Sequence, residues 1–204
     1  MMNLLLGWLV LQGGAPVKVS VDTSQVPELK EWGDRARVLC EEWYPKMSEF
    51  LSTPGHTPPL EFSITFEKDK KGVADTSGNK IRVAADWVKK HPEDTGMIIH
   101  ELVHVVQGYK APGPSWVTDG IADYIRYFQF EKKAITPKEK RKGSWKDSYR
   151  TTASFFAWIQ EKHDREIVQK LNKAMRGGSY TDDLFKQATG KDLEALWKDY
   201  LSDD

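Results

Sequence analysis

Apolar and polar residues alternate through "VKVSVDTS", Val17 to Ser24, and through "EFSITFEK", Glu61 to Lys68, and a period of two predicts two half-buried strands. Between them the period lengthens. From Pro27 to about Leu51, the residues Leu29, Trp32, Ala36, Leu39, Cys40, Trp43, Met47 and Phe50 recur at helical spacing, so one long helix is expected there. The prolines and glycine of "STPGHTPPL" end it. "GVADTSGNKIRVAA" then holds two extended runs about Ser77-Gly78-Asn79, a hairpin signal. Together these elements predict a small, mostly antiparallel N-terminal sheet with one long helix.

From Asp94 onward the pattern is helical almost throughout. "MIIHELVHVVQGY", Met97 to Tyr109, is apolar nearly all round, which marks a buried helix, with Asp94 or Thr95 to cap its start and Gly108 near its end. The linker "APGPS" leads to a helix from Trp116 to about Phe130. Further helices are expected over Ser148 to His163, over Asp164 to Met175, and after Gly190 in "KDLEALWKDYL", where Leu193, Leu196, Trp197, Tyr200 and Leu201 face inward. The fold class is therefore α+β with a helical C-terminal half. No repeat or low-complexity boundary divides it, so residues 16–204 read as one domain. Residues 1–15 stand apart: the apolar core Leu4 to Leu11, followed by small residues, reads as a short secretory signal, implying a secreted or periplasmic protein. No Lys or Arg precedes that core and Pro16 follows Ala15, so a disordered tail is the other reading.

Charge removes some functions from consideration. Thirty basic and thirty acidic side chains cancel over 204 residues, leaving no overall field to draw in nucleic acid or an anionic membrane. The N-terminal apolar stretch is too short to span a bilayer. The Lys-rich "EKKAITPKEKRKGSWK" reads as a solvated loop. Cys40, the single cysteine, has no intramolecular disulfide partner and reads as a core residue. His56, His91 and His163 fall in loops or at helix ends and read as solvent-facing, and most of the tryptophans fall at core spacing.

His100 and His104 do not. Four residues apart on a helix, both imidazoles project from one face, close enough to bind one ion, and Glu101 projects beside them. This H-E-x-x-H arrangement is that of zinc hydrolases, in which the glutamate takes a proton from a metal-activated water. A catalytic zinc wants a third protein ligand. In "SWVTDGIADYIRY", Asp119 and Asp123 share one helix face, and a return through "APGPS" brings that face over the histidines. Asp119 is the expected third ligand, and Asp123 the acceptor of a histidine ring N–H.

The series "GVADTSGNKIRV", "IIHELVHVVQGY", "DGIADYIR", "WKDSYRTTASFFAWI" and "TGKDLEALWKDYL" resembles, in order, the basic secretory proteins of plants and their bacterial relatives, grouped with the gluzincin-type zinc metallopeptidases. The resemblance implies a thermolysin-like (zincin) catalytic fold whose sheet edge faces a cleft, zinc on His100, His104 and Asp119, and Glu101 as general base. Two departures stand out. Asp119 replaces the family's usual glutamate, and Ser154 stands where an arginine is common. The family's "basic" does not describe this neutral chain. Tyr149 is the candidate oxyanion donor, its alternative being a tyrosine packed at the start of a core helix. The strand Lys80 to Ala84 is a candidate to hold substrate by strand addition. The leading reading is a zinc-dependent endopeptidase, or a closely related amide hydrolase, acting on peptide or protein, and the chain is expected to be a monomer. A peptidase scaffold that binds without turnover is the alternative that Asp119 raises, and a structural zinc domain is disfavoured because no cysteine ligand is near.

Overall fold

The computed structural model describes residues 16–132, 143–147 and 149–203. The expected signal or tail at 1–15, most of the Lys-rich loop and the helix start at Ser148 lie outside the described residues.

Alternating burial builds the sheet. In β2 (Glu61–Glu67) Phe62, Ile64 and Phe66 turn inward, and in β1 (Lys18–Asp22) Val19 does. The chain crosses between them through a 3-10 turn, Pro27–Leu29, and the long helix α1 (Lys30–Phe50). A helical crossover returns the chain in the same direction, so β1 and β2 pair in parallel. β3 (Ala74–Ser77) turns through Gly78, at φ 61°, into β4 (Lys80–Ala84), and this pair is antiparallel. β4 also pairs in parallel with β2, giving the order β1-β2-β4-β3. The sheet is thus mixed, with two parallel pairings and one antiparallel, rather than mostly antiparallel. Alternation reports which face is buried; the connections decide direction.

The order has a second consequence. β4 is enclosed between β2 and β3, so its main chain is occupied on both sides, and the sheet edge on that side belongs to β3. The Lys80–Ala84 strand therefore cannot take up a peptide by strand addition.

A short helix, α2 (Ala85–Lys90), leads to α3 (Gly96–Gln107), which is buried along nearly its whole length. Asp94, not Thr95, supplies the side-chain cap, its Oδ1 accepting from the Met97 N–H at 3.3 Å. Gly108 closes the helix in the left-handed region at φ 51°, where a side chain would be strained. Both ends are clamped. Arg126 donates to Asp94 at 2.6 Å and to Glu131 at 2.9 Å. Arg176 donates to the carbonyls of Val106 (3.0 Å) and Gln107 (3.2 Å) and also of Leu51 (2.7 Å), so one guanidinium serves the ends of α3 and α1.

α4 (Ser115–Tyr124) runs on into a π-helical turn, Ile125–Phe130. α5 (Tyr149–Lys162), α6 (Ile167–Arg176), α7 (Asp183–Thr189) and α8 (Leu193–Ser202) complete the helical half. Aromatic edges lock it, with Phe155 meeting Trp197 at 5.1 Å and Trp116 stacking on Phe185 at 6.2 Å. α4 and α5 pack closely at Gly120, where a Cβ would overlap the Thr152 methyl and lie 2.9 Å from Phe156. Some inward assignments shift, Leu39 and Phe50 being half-buried. Tyr44 is buried where Trp43 is only half-buried, and Leu201 is exposed while Leu193, Leu196, Trp197 and Tyr200 are buried. Among the described residues no helix is long and apolar enough to cross a membrane.

Candidate metal centre

α3 carries His100, Glu101 and His104 on consecutive turns, and α4 runs back along it. Three contacts set that antiparallel register: His100 with Asp123, His104 with Asp119, and Gln107 with Thr118. Each begins a step further along α3 and ends a step further back along α4.

The hydrogen bonds decide where the ring protons lie. Asp123, buried, accepts from His100 Nδ1 at 2.6 Å. Gln107 Oε1 lies 2.7 Å from His104 Nδ1, while Gln107 Nε2 donates to the Thr118 carbonyl at 3.0 Å. A carbonyl only accepts, so the Gln107 amide is oriented, its oxygen faces His104, and His104 Nδ1 carries the hydrogen. With Nδ1 committed on both rings, the two Nε2 atoms face each other at 3.0 Å. Two lone pairs at that distance repel, so a proton or a metal ion is needed between them.

The electrostatics agree. Burial works to lower the His100 pKa, but its hydrogen bond to Asp123 and the charges of Asp123, Glu101 and Asp119 outweigh it and hold the group above its ordinary value. Burial and the neighbouring His100 push His104 down to about 3. A single positive charge is favoured between the rings, and it sits toward the carboxylates. Burial likewise raises Asp119 and Glu101 above the ordinary carboxylate range.

His100, His104 and Asp119 offer one ligand atom each, all within 4.8 Å of one another, so this group can hold a metal ion. His104 Nε2 and Asp119 Oδ1 are 3.6 Å apart. Two ligands placed tetrahedrally on zinc are separated by about 3.3 Å. The observed 3.0 and 3.6 Å lie on either side of that value, so the donor set fits such an ion in type and spacing.

Glu101 lies beside this group, buried at 6% exposure, its Oε2 accepting from the Thr76 hydroxyl at 2.7 Å. Thr76 also donates to the Glu101 carbonyl at 3.1 Å, tying the edge strand β3 to α3. Tyr149 stands over His100 with ring centroids 6.0 Å apart, at φ 51° and 57% exposed, so it is not packed in the core. Ser154 is buried in α5 and donates to the Arg150 carbonyl at 2.8 Å. His56 meets the Val106 carbonyl, while His91 and His163 lie against Trp87 and Trp158, all apart from the metal group. A cleft of about 720 Å³ opens over the site, bounded by β3 on one side and by Arg126, Tyr127, Tyr149 and Arg150 on the other.

Two partners escaped the sequence reading. Gln107 carried a signal, standing three residues after His104 on the same helix face. Thr76 carried none, because its contact depends on how the sheet edge docks.

The centre is thus of a metal-binding class: two histidines and a carboxylate able to hold an ion, beside a buried glutamate. The chain belongs to the basic secretory protein family, described as a peptidase of plants and bacteria, whose family model matches residues 33–200. The match begins within α1, well before the first of the motifs that carry the resemblance. No curated protein and no solved structure matches the chain.

Proposed function

We propose that the protein is a zinc-dependent endopeptidase of thermolysin-like organisation, with His100, His104 and Asp119 holding the ion and Glu101 as general base. One observation carries the reading: two histidine Nε2 atoms, each left to face the other because its ring's Nδ1 is held by a separate partner, converge at 3.0 Å beside a buried carboxyl group. Two imidazoles and a carboxylate are a donor set suited to zinc. Zinc held there supplies Lewis acidity, lowering the pKa of water and polarising a carbonyl.

The chain's own residues do the rest. Thr76 fixes Glu101 Oε2, which leaves Oε1 to take a proton from the attacking water and return it to the leaving amine. Burial raises the Glu101 pKa and makes the carboxylate a stronger base for taking that proton. Tyr149 is the donor to the developing oxyanion, and the charge of Asp119, burial and the charges of Asp123 and Glu101 keep its hydroxyl protonated. Asp123 and Gln107 keep the two rings in the tautomer that presents Nε2. The free edge of β3, from Ala74 to Ser77, is the main chain along which a peptide can extend, which supports the thermolysin-like comparison.

The second reading, a scaffold that binds peptides without turnover, draws on the 3.6 Å separation at the shorter Asp119. Zinc content and casein hydrolysis, measured together on wild type and Glu101→Gln, separate the two. The proposal expects one zinc per chain in both proteins and hydrolysis in wild type alone. Zinc without hydrolysis in either favours the second reading, and no zinc removes the metal site.

A further inference from the structure

The Lys and Arg side chains around the cleft are paired with carboxylates, with one exception among the described residues. Lys70 and Arg82 both pair with Asp75. Arg126 pairs with Asp94 and Glu131, and Asp123 pairs with His100. Arg150 lines the same cleft, yet its guanidinium lies over the Tyr127 ring at 4.4 Å and meets no carboxylate among the described residues. The ring steadies the cation without neutralising it, since an aromatic face carries no net charge. Arg150, Tyr149 and the metal group line one cleft, so the uncompensated cation shares that cleft with the metal centre.

We propose that Arg150 is a receptor for a substrate carboxylate, so that peptides carrying an acidic side chain or a free C-terminus near the scissile bond are bound and cleaved in preference to neutral ones. This rests on the peptidase reading. A planar guanidinium accepts a carboxylate through two parallel hydrogen bonds, and steadied on Tyr127 it loses little freedom in doing so.

The test uses quenched fluorescent peptides in which one Glu or one Gln is moved through each position around the cleavage site, each with a free or an amidated C-terminus. Wild type is expected to favour one Glu position, or the free C-terminus, by about tenfold or more in kcat/KM, the scale of a single charge-assisted hydrogen bond. Arg150→Gln is expected to bring that ratio near one, and Arg150→Lys to keep part of it. A Glu position identifies a side-chain carboxylate, and a difference between the two C-termini identifies a terminal one. Equal rates for all peptides in wild type, or a preference that survives Arg150→Gln, would overturn the proposal. If no peptide is cleaved, the peptidase reading fails instead. The affinities of the same peptides for Glu101→Gln then decide the matter: a preference for the carboxylate that Arg150→Gln removes supports the receptor, and equal affinities reject it.

Discussion

Gln107 Oε1 lies 2.7 Å from His104 Nδ1, and the amide cannot be reversed, because the Thr118 carbonyl 3.0 Å from Gln107 Nε2 requires a donor. A residue outside the H-E-x-x-H pattern thus sets which nitrogen of His104 is presented. Gln107→Ala frees the ring to adopt the other tautomer, and zinc affinity is expected to fall by about 10- to 100-fold. Competition with a chromophoric chelator reads this directly. An unchanged affinity would mean that the orientation of His104 is held by packing alone.

Asp119 is one methylene shorter than a glutamate, and its Oδ1 stands 3.6 Å from His104 Nε2. Adding the extra methylene in Asp119→Glu is expected to keep zinc affinity within about tenfold of wild type, whereas Asp119→Ala, which removes the third ligand, is expected to lose a hundredfold or more. Should Asp119→Ala bind zinc as tightly as wild type, the third ligand lies elsewhere.

These relationships divide what the chain discloses locally from what it does not. Residues 100, 101 and 104 share a helix face through spacing alone, and Asp119 and Asp123 do so one helix later, so the five side chains that the structure brings together could be named in advance. Gln107 was legible by the same spacing. Thr76 was not, since the hydrogen bond to Glu101 exists only because β3 is the sheet edge beside α3. Strand direction was hidden for a related reason: alternation in β1 and β2 records burial, while the α1 crossover makes them parallel. Helix faces were legible to within one position, as Trp43 against Tyr44 and the exposed Leu201 show.

Arg176 joins the C-terminal ends of α1 and α3 by donating to the carbonyls of Leu51, Val106 and Gln107. Arg176→Ala leaves those carbonyls without their charged donor and is expected to cost about 2–3 kcal/mol of stability. Chemical denaturation checks it: the midpoint should fall with little change in slope. A loss within about 0.5 kcal/mol, typical of surface substitutions, would show that solvent replaces the guanidinium.

Cys40 is fully buried in α1, and burial, with the nearby Glu41, pushes its thiol pKa above the ordinary range. A raised pKa means that less thiolate is present at any pH below it, so the native protein is expected to resist a disulfide reagent at pH values near 8, where a free cysteine is partly ionised. One equivalent should react after unfolding. Rapid labelling of the folded protein at the rate of a free thiol would contradict the placement of α1 against the sheet.

The most direct measurement is anomalous diffraction at the zinc edge from crystals of the zinc-loaded protein. The account predicts one strong peak about 2 Å from His100 Nε2, His104 Nε2 and an oxygen of Asp119. A peak that leaves Asp119 uncoordinated, or no peak between the two histidines, would contradict it.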